Sequence, residues 1–168
     1  SDGRRVVRDL TVDFACAVRA EAAPTIDGDL ADWRQATPLR LDKAENAKGS
    51  FGGMWSREDL SATVYLMWDD SCLYMAADVV DQTFNQQLSG TSQWIQDSIQ
   101  FSLAPGEQGP RTELGLALTP QGEEVVSYTA PEPTVPGAGL KVSLRQGGAT
   151  YEAAVPWSAF AGLGAPQA

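Results

Sequence analysis

The chain has 168 residues, 43% hydrophobic and 20% charged, which suits one folded domain that buries about two thirds of its unfolded surface. Lys and Arg number 12 against 22 Asp and Glu, a net charge of −10 with the cations scattered, which argues against a nucleic-acid partner and leaves calcium open. With no histidine, a Ser-His-Asp triad, a histidine-ligated zinc and a histidine-ligated haem are excluded, and no apolar run is long enough for membrane insertion.

Leu10 to Val18 alternates, with Leu10, Val12, Phe14, Cys16 and Val18 on one face, and predicts a strand that Ala22-Ala23-Pro24 ends. Ile26-Asp27-Gly28-Asp29 reads as a turn whose Asp29 caps a short helical turn through Ala31-Asp32-Trp33, with Trp33 on the core. Residues 43–61, with Gly49, Gly52 and Gly53 among polar neighbours, lack periodicity and predict an irregular excursion or a short hairpin. Trp55 in that stretch is either a ligand-facing aromatic or a ring that anchors its loop. Thr63 to Trp68 and Leu73 to Val80 flank Asp69-Asp70-Ser71 and predict a β-hairpin. Its inward set is Val64, Leu66 and Trp68 with Leu73, Met75, Ala77 and Val79.

A polar stretch then runs to Gln93 and opens into Trp94-Ile95-Gln96-Asp97-Ser98-Ile99-Gln100-Phe101, where Ile99, Phe101 and Leu103 form an inward stripe of period two. Trp94 is thereby placed at a sheet rim, beside a loop rich in Asn, Gln, Ser and Thr. An indole there either lies flat against a sugar ring or caps the end of the core. Glu113 to Leu118 and Glu124 to Tyr128 are joined by Pro120-Gln121-Gly122, and Leu140 to Arg145 pairs with Tyr151 to Val155 through Gly147-Gly148. So many short strands with hardly a helical segment predict an all-β fold, an antiparallel β-sandwich of the jelly-roll or immunoglobulin-like two-sheet kind. Cys16 and Cys72 both fall in or at the start of strands, and either close a long loop as a disulfide or stay as buried thiols.

Four blocks, Ile26 to Trp33, Ala62 to Asp81, Trp94 to Phe101 and Val155 to Phe160, occur in an order and at a spacing that resemble the family 9 carbohydrate-binding modules, over about residues 14 to 163. The expected organisation is an N-terminal strand or arm over 1–22 and a module of that kind over 23–168. Modules of that family continue past the Pro156-Trp157-Ser158-Ala159-Phe160 block with a strand pair that carries a second tryptophan. Here Gly162 to Ala168 has loop composition, so the sandwich is expected to lack its last strands unless the sequence is part of a longer polypeptide or the Arg4 to Ala20 stretch fills the place, in its own subunit or a neighbour's.

By the same resemblance Trp94 matches the first of two facing tryptophans, while the second would lie beyond Ala168. The family's acidic sugar contact falls on Gln100 and its arginine close to Gly115, so the expected ligand-binding residues are Trp94 with neutral partners Gln93, Gln96 and Gln100, and Trp55 as a further aromatic. Of the acidic positions at strand ends (Asp69, Asp70, Asp78, Asp81 and Asp97), the resemblance puts a structural calcium ion on Asp81 and Asp97. The competing reading has Asp97 capping its loop through backbone amides. Haem-binding relatives would need axial ligands, and Met54, Met67 and Met75 are the only soft candidates, two of them at core-like strand positions. Asp69 and Asp70 as an acid and base pair would point apart on a turn, so no enzyme is expected.

The expected function is a non-catalytic carbohydrate-binding module of a secreted or cell-surface protein, extracellular or periplasmic, that binds a polysaccharide or oligosaccharide by aromatic stacking. The alternative is a structural subunit of an extracellular filament or surface layer, completed by strand donation between subunits, and other copies of itself or further domains of the same polypeptide are its expected protein partners.

Overall fold

The computed structural model describes residues 16–46 and 55–167. Most of the strand expected over Leu10 to Val18 lies outside them, as do Gly49, Gly52, Gly53 and Met54. Among the described residues nine strands follow in chain order: β1 (Val18–Arg19), β2 (Leu39–Leu41), β3 (Leu60–Trp68), β4 (Cys72–Asp81), β5 (Ile99–Leu103), β6 (Thr112–Thr119), β7 (Gly122–Ser127), β8 (Gly139–Arg145) and β9 (Gly148–Pro156). The helical turns among the described residues are all of the 3-10 type. The architecture is the expected all-β sandwich.

The larger sheet, A, has the order β1-β3-β4-β9-β8, with β2 also on β3. A parallel pairing sets Val18 beside Met67, while β2 runs antiparallel along the other half of β3, Leu39 beside Val64. Sheet B has the order β5-β6-β7. The β3–β4 hairpin turns where an aspartate can serve the backbone, since Asp69 Oδ1 accepts the N–H groups of Ser71 and Cys72 at 2.7 and 2.8 Å. Tyr74 Oη donates to the other oxygen at 2.7 Å. Burial would raise the Asp69 carboxyl, but these donors outweigh it and hold the group below the usual carboxylate range.

Between the sheets lie Trp68, Leu73, Met75 and Ala77 of the hairpin, Val142 of β8, Tyr151, Ala153 and Val155 of β9, and Leu114 and Leu116 of β6. Val64, Leu66, Val79, Ile99, Phe101 and Leu103 pack against them, so the inward sets read from alternation are the observed ones. The Pro156 to Phe160 block closes one end. Trp157 Nε1 donates to Asp69 O at 2.8 Å, and the Phe160 ring stands 5.9 Å from that of Trp157 and 6.4 Å from that of Phe101.

Trp33 is buried, at 1% exposure, but against the opposite face of sheet A, with Ala36, Met67, Tyr74 and Ala76. It reaches there on a 3-10 turn (Leu30–Trp33) whose cap is Asp29, its side chain accepting the Ala31 N–H at 3.0 Å. The segment thus covers a face that a free-standing sheet would leave wet. Met67 and Met75 are packing residues, one in each cluster.

The disulfide reading is corrected: Cys16 and Cys72 are free thiols, Cys16 exposed. Cys16 precedes β1 by two residues and Cys72 opens β4, with β3 lying between those strands. Two strand spacings, about 9–10 Å, exceed the roughly 7 Å that a disulfide spans between Cα atoms. The acidic strand-end positions do not form one cluster either. Asp69 and Asp70 lie at one end of β4 and Asp81 at the other, about 30 Å away along a ten-residue strand. Asp70 pairs with Arg19 at 2.9 Å, and Asp78 pairs with Arg145.

Candidate functional site

The polar stretch between β4 and β5 is built as a hydrogen-bonded platform. Gln86, 3% exposed, donates from Nε2 to the carbonyls of Gln93 and Asp97 at 2.8 and 2.9 Å and accepts the Leu88 N–H at 2.9 Å. Gln96 Oε1 accepts the Gln87 N–H at 2.7 Å, and Asp97 Oδ2 accepts the Asn85 N–H. A 3-10 turn (Gly90–Ile95) sits on this frame. Its first N–H, from Gly90, donates at 2.7 Å to Glu124 Oε2 on β7, whose other oxygen accepts from Thr119 Oγ1 at 3.0 Å. Side chains therefore grip both ends of the turn, and its exposed residues Trp94 (56%) and Ile95 (60%) face solvent. At that exposure Trp94 does not cap the core.

The turn packs over the outer face of sheet B. Leu114 and Leu116 point into the sandwich, so Gly115 between them faces outward, in a row with Gln100 of β5 and Val126 of β7. Gln93, fully buried, extends over Gly115 toward the hydroxyl of Tyr128. Glycine gives them the room, because a Cβ at 115 would stand 2.3 Å from Tyr128 Oη and 2.6 Å from Gln93 Nε2 and both side chains would have to move. Both polar atoms of the Gln93 amide and the Tyr128 hydroxyl are shielded from solvent without a well-formed hydrogen bond. Burial pushes the Tyr128 hydroxyl up, with Gln93 acting against that and Glu113 adding to it. Gln93 and Gln100 thus lie on the outer face of sheet B, while Trp94, next to Gln93 in the turn, faces solvent.

The family model described as "Carbohydrate family 9 binding domain-like" matches residues 26–168. The chain belongs to that family. Its members are non-catalytic binding modules. Two solved family 9 modules are similar to it, both from Caldicellulosiruptor kristjanssonii. One, in complex with cellotriose, has 22% identity and a TM-score of 0.59, the match covering 83% of this chain and 66% of that one. The other, in complex with glucose, has 22% identity and a TM-score of 0.57, covering 84% and 68%. The likeness is one of fold, and the chain spans about two thirds of the length of these solved modules. No curated protein matches it.

Within this family 9 domain the other sequence-read residues fall elsewhere. Trp55 donates from Nε1 to Leu60 O at 2.6 Å and lines a groove of about 480 Å³ with Leu41 and Leu60 at the β2–β3 side of sheet A, away from the Trp94 turn. Asp81 and Asp97 lie close enough for the charge of one to act on the other. Burial lifts the Asp97 carboxyl above its ordinary value, the Asn85 N–H opposes that, and Asp81 adds to it. Both carboxylates, after burial itself, also push up the hydroxyl of Tyr151, a residue 3% exposed. Among the described residues no three His, Cys, Asp or Glu side chains gather around a metal position. A calcium ion on Asp81 and Asp97 would therefore draw most of its about six to eight oxygens from loop carbonyls and water.

Two residues escaped the reading of the sequence. Glu152, fully buried on β9, accepts Trp33 Nε1–H at 2.6 Å and Asp27 N–H at 3.0 Å, with Gly28 N–H as a third donor. It fastens the Ile26 to Trp33 block to sheet A. Glu124 is the other, the carboxylate that positions the Trp94 turn. Both alternate onto strand faces that patterning assigns to solvent, and only the chain folded over those faces gives them partners.

Proposed function

We propose that this chain is a non-catalytic carbohydrate-binding module of a secreted, extracellular or periplasmic protein, holding a polysaccharide or oligosaccharide against Trp94. One observation carries the reading: a large aromatic ring, 56% exposed, stands on a turn gripped at both ends by buried or partly buried side chains. Exposing an indole on a rigid support has a cost that a stacking ligand offsets. Gln100 on the sheet face under the turn, Gln93 next to Trp94 within it, and Gln96 supply neutral donors and acceptors for sugar hydroxyls. Trp55, on its own groove, offers a second aromatic contact. Calcium on Asp81 and Asp97 would hold the start and end of the platform together.

The ligands named for the two solved modules, cellotriose and glucose, make neutral glucans the first probes. A stacking contact contributes on the order of 1 kcal/mol beyond the area it buries. Trp94→Ala is therefore expected to weaken binding of cellotriose or a soluble glucan at least tenfold in calorimetric titration, while leaving stability within about 0.5 kcal/mol of wild type, as befits an exposed position. Equal affinity of the two proteins removes Trp94 from the account.

A second reading is the assembly subunit completed by strand donation. What favours it is the outer edge of β5, which pairs with no other strand among the described residues.

A further inference from the structure

The polar atoms under the Trp94 turn remain unexplained by the fold. Interiors rarely leave an amide and a phenol unpaired, because each orphaned group forfeits its hydrogen bonds to water without replacement. Here the two stand together: Gln93 Nε2 and Oε1 and Tyr128 Oη, gathered over a glycine whose replacement would crowd them both. No well-formed hydrogen bond holds the Gln93 amide inward, Tyr128 Oη being the polar group it faces, whereas the Gln93 backbone carbonyl is bound by Gln86 Nε2 and by the Gln96 N–H. It adjoins Trp94 in sequence, and Gln100 opposes Gly115 across the sheet.

An amide and a phenol both donate and accept, and the group that complements such a pair is one that does both, a hydroxyl. A carboxylate only accepts, and the Glu113 charge acting on Tyr128 disfavours an anion. We propose that the Gln93 amide and the Tyr128 hydroxyl are a receptor for a hydroxyl of a neutral saccharide, entering beside the Trp94 ring as the amide turns outward, and that the free protein tolerates their unpaired burial for the sake of this contact. This rests on Trp94 being the stacking platform.

The two groups then weigh oppositely on stability and on affinity. Wild type, Tyr128→Phe, Gln93→Leu and Trp94→Ala are titrated calorimetrically with cellotriose, xylotriose and maltotriose as neutral probes and trigalacturonate as an acidic one. Each is also melted without sugar. Tyr128→Phe and Gln93→Leu are expected to bind the best neutral probe about fivefold or more weakly, yet to melt about 2–4 °C above wild type. A merely structural pair would shift melting alone.

Wild-type affinity in both variants together with loss in Trp94→Ala overturns this inference and spares the stacking reading. Wild-type affinity in Trp94→Ala, or a wild type that titrates with no neutral probe, overturns both. Lower melting in both variants shows that a buried water or another partner pairs these atoms in the free protein, and tighter binding of trigalacturonate than of any neutral probe shows a site for acids. Either result overturns the proposal.

Discussion

Asp97 accepts the Asn85 N–H with one oxygen while its charge faces Asp81, so the group is asked to be an acceptor more than an anion. Its folded-state carboxyl sits above the ordinary 3.8, hence the folded chain holds that proton more tightly than the unfolded one. Stability linked to this group is greatest below pH 3.8 and falls as pH rises through the raised value. Asp97→Asn keeps an oxygen for Asn85 and drops the charge. In the absence of calcium the variant is expected to melt at or above the wild-type temperature at pH 7, an advantage that vanishes below pH 3.8. Millimolar calcium should then raise the wild-type melting temperature at pH 7 and leave the variant unmoved. If both proteins respond equally, the ion does not sit on Asp97.

At the scale of elements, the Ile26 to Trp33 block and β9 form one unit through Glu152. A buried carboxylate that satisfies three N–H donors leaves three orphans when it is removed. Glu152→Ala is expected to lower unfolding free energy by about 3 kcal/mol or more, measured by urea titration, with the loss of Trp33 fluorescence shielding as a local sign.

The β3–β4 hairpin was legible because its alternation and its Asp69-Asp70-Ser71 turn agree, and the inward residues follow from the period. Trp33 was legible as buried but not as to where, since alternation cannot say that the outward face of a central strand is itself covered. In the Trp94 region the sequence left the ring open between solvent and core, and the structure exposes it. Gln93, Gly115 and Tyr128 meet only because the 90–95 turn folds back across sheet B, a long-range event with no local periodicity to announce it. Cys16 and Cys72 misled for a similar reason, as strand membership says nothing of the strand that lies between them.

For the whole molecule, the strand-donation reading and the solitary-module reading part company in solution. The full chain and one lacking residues 1–12 would be compared by size-exclusion chromatography with light scattering. Assembly lost on removing that arm supports donation across copies, and a monomer in both cases ends it. The two layers themselves are unequal, five ladders in sheet A against two in sheet B. Free energies of local opening follow such inequality, the smaller cooperative unit yielding first. The surface that carries Trp94 thus belongs to the more compliant half of the protein, and a guest bound there would act as a brace, slowing amide exchange in β5, β6 and β7 more than anywhere in the stiffer layer beneath.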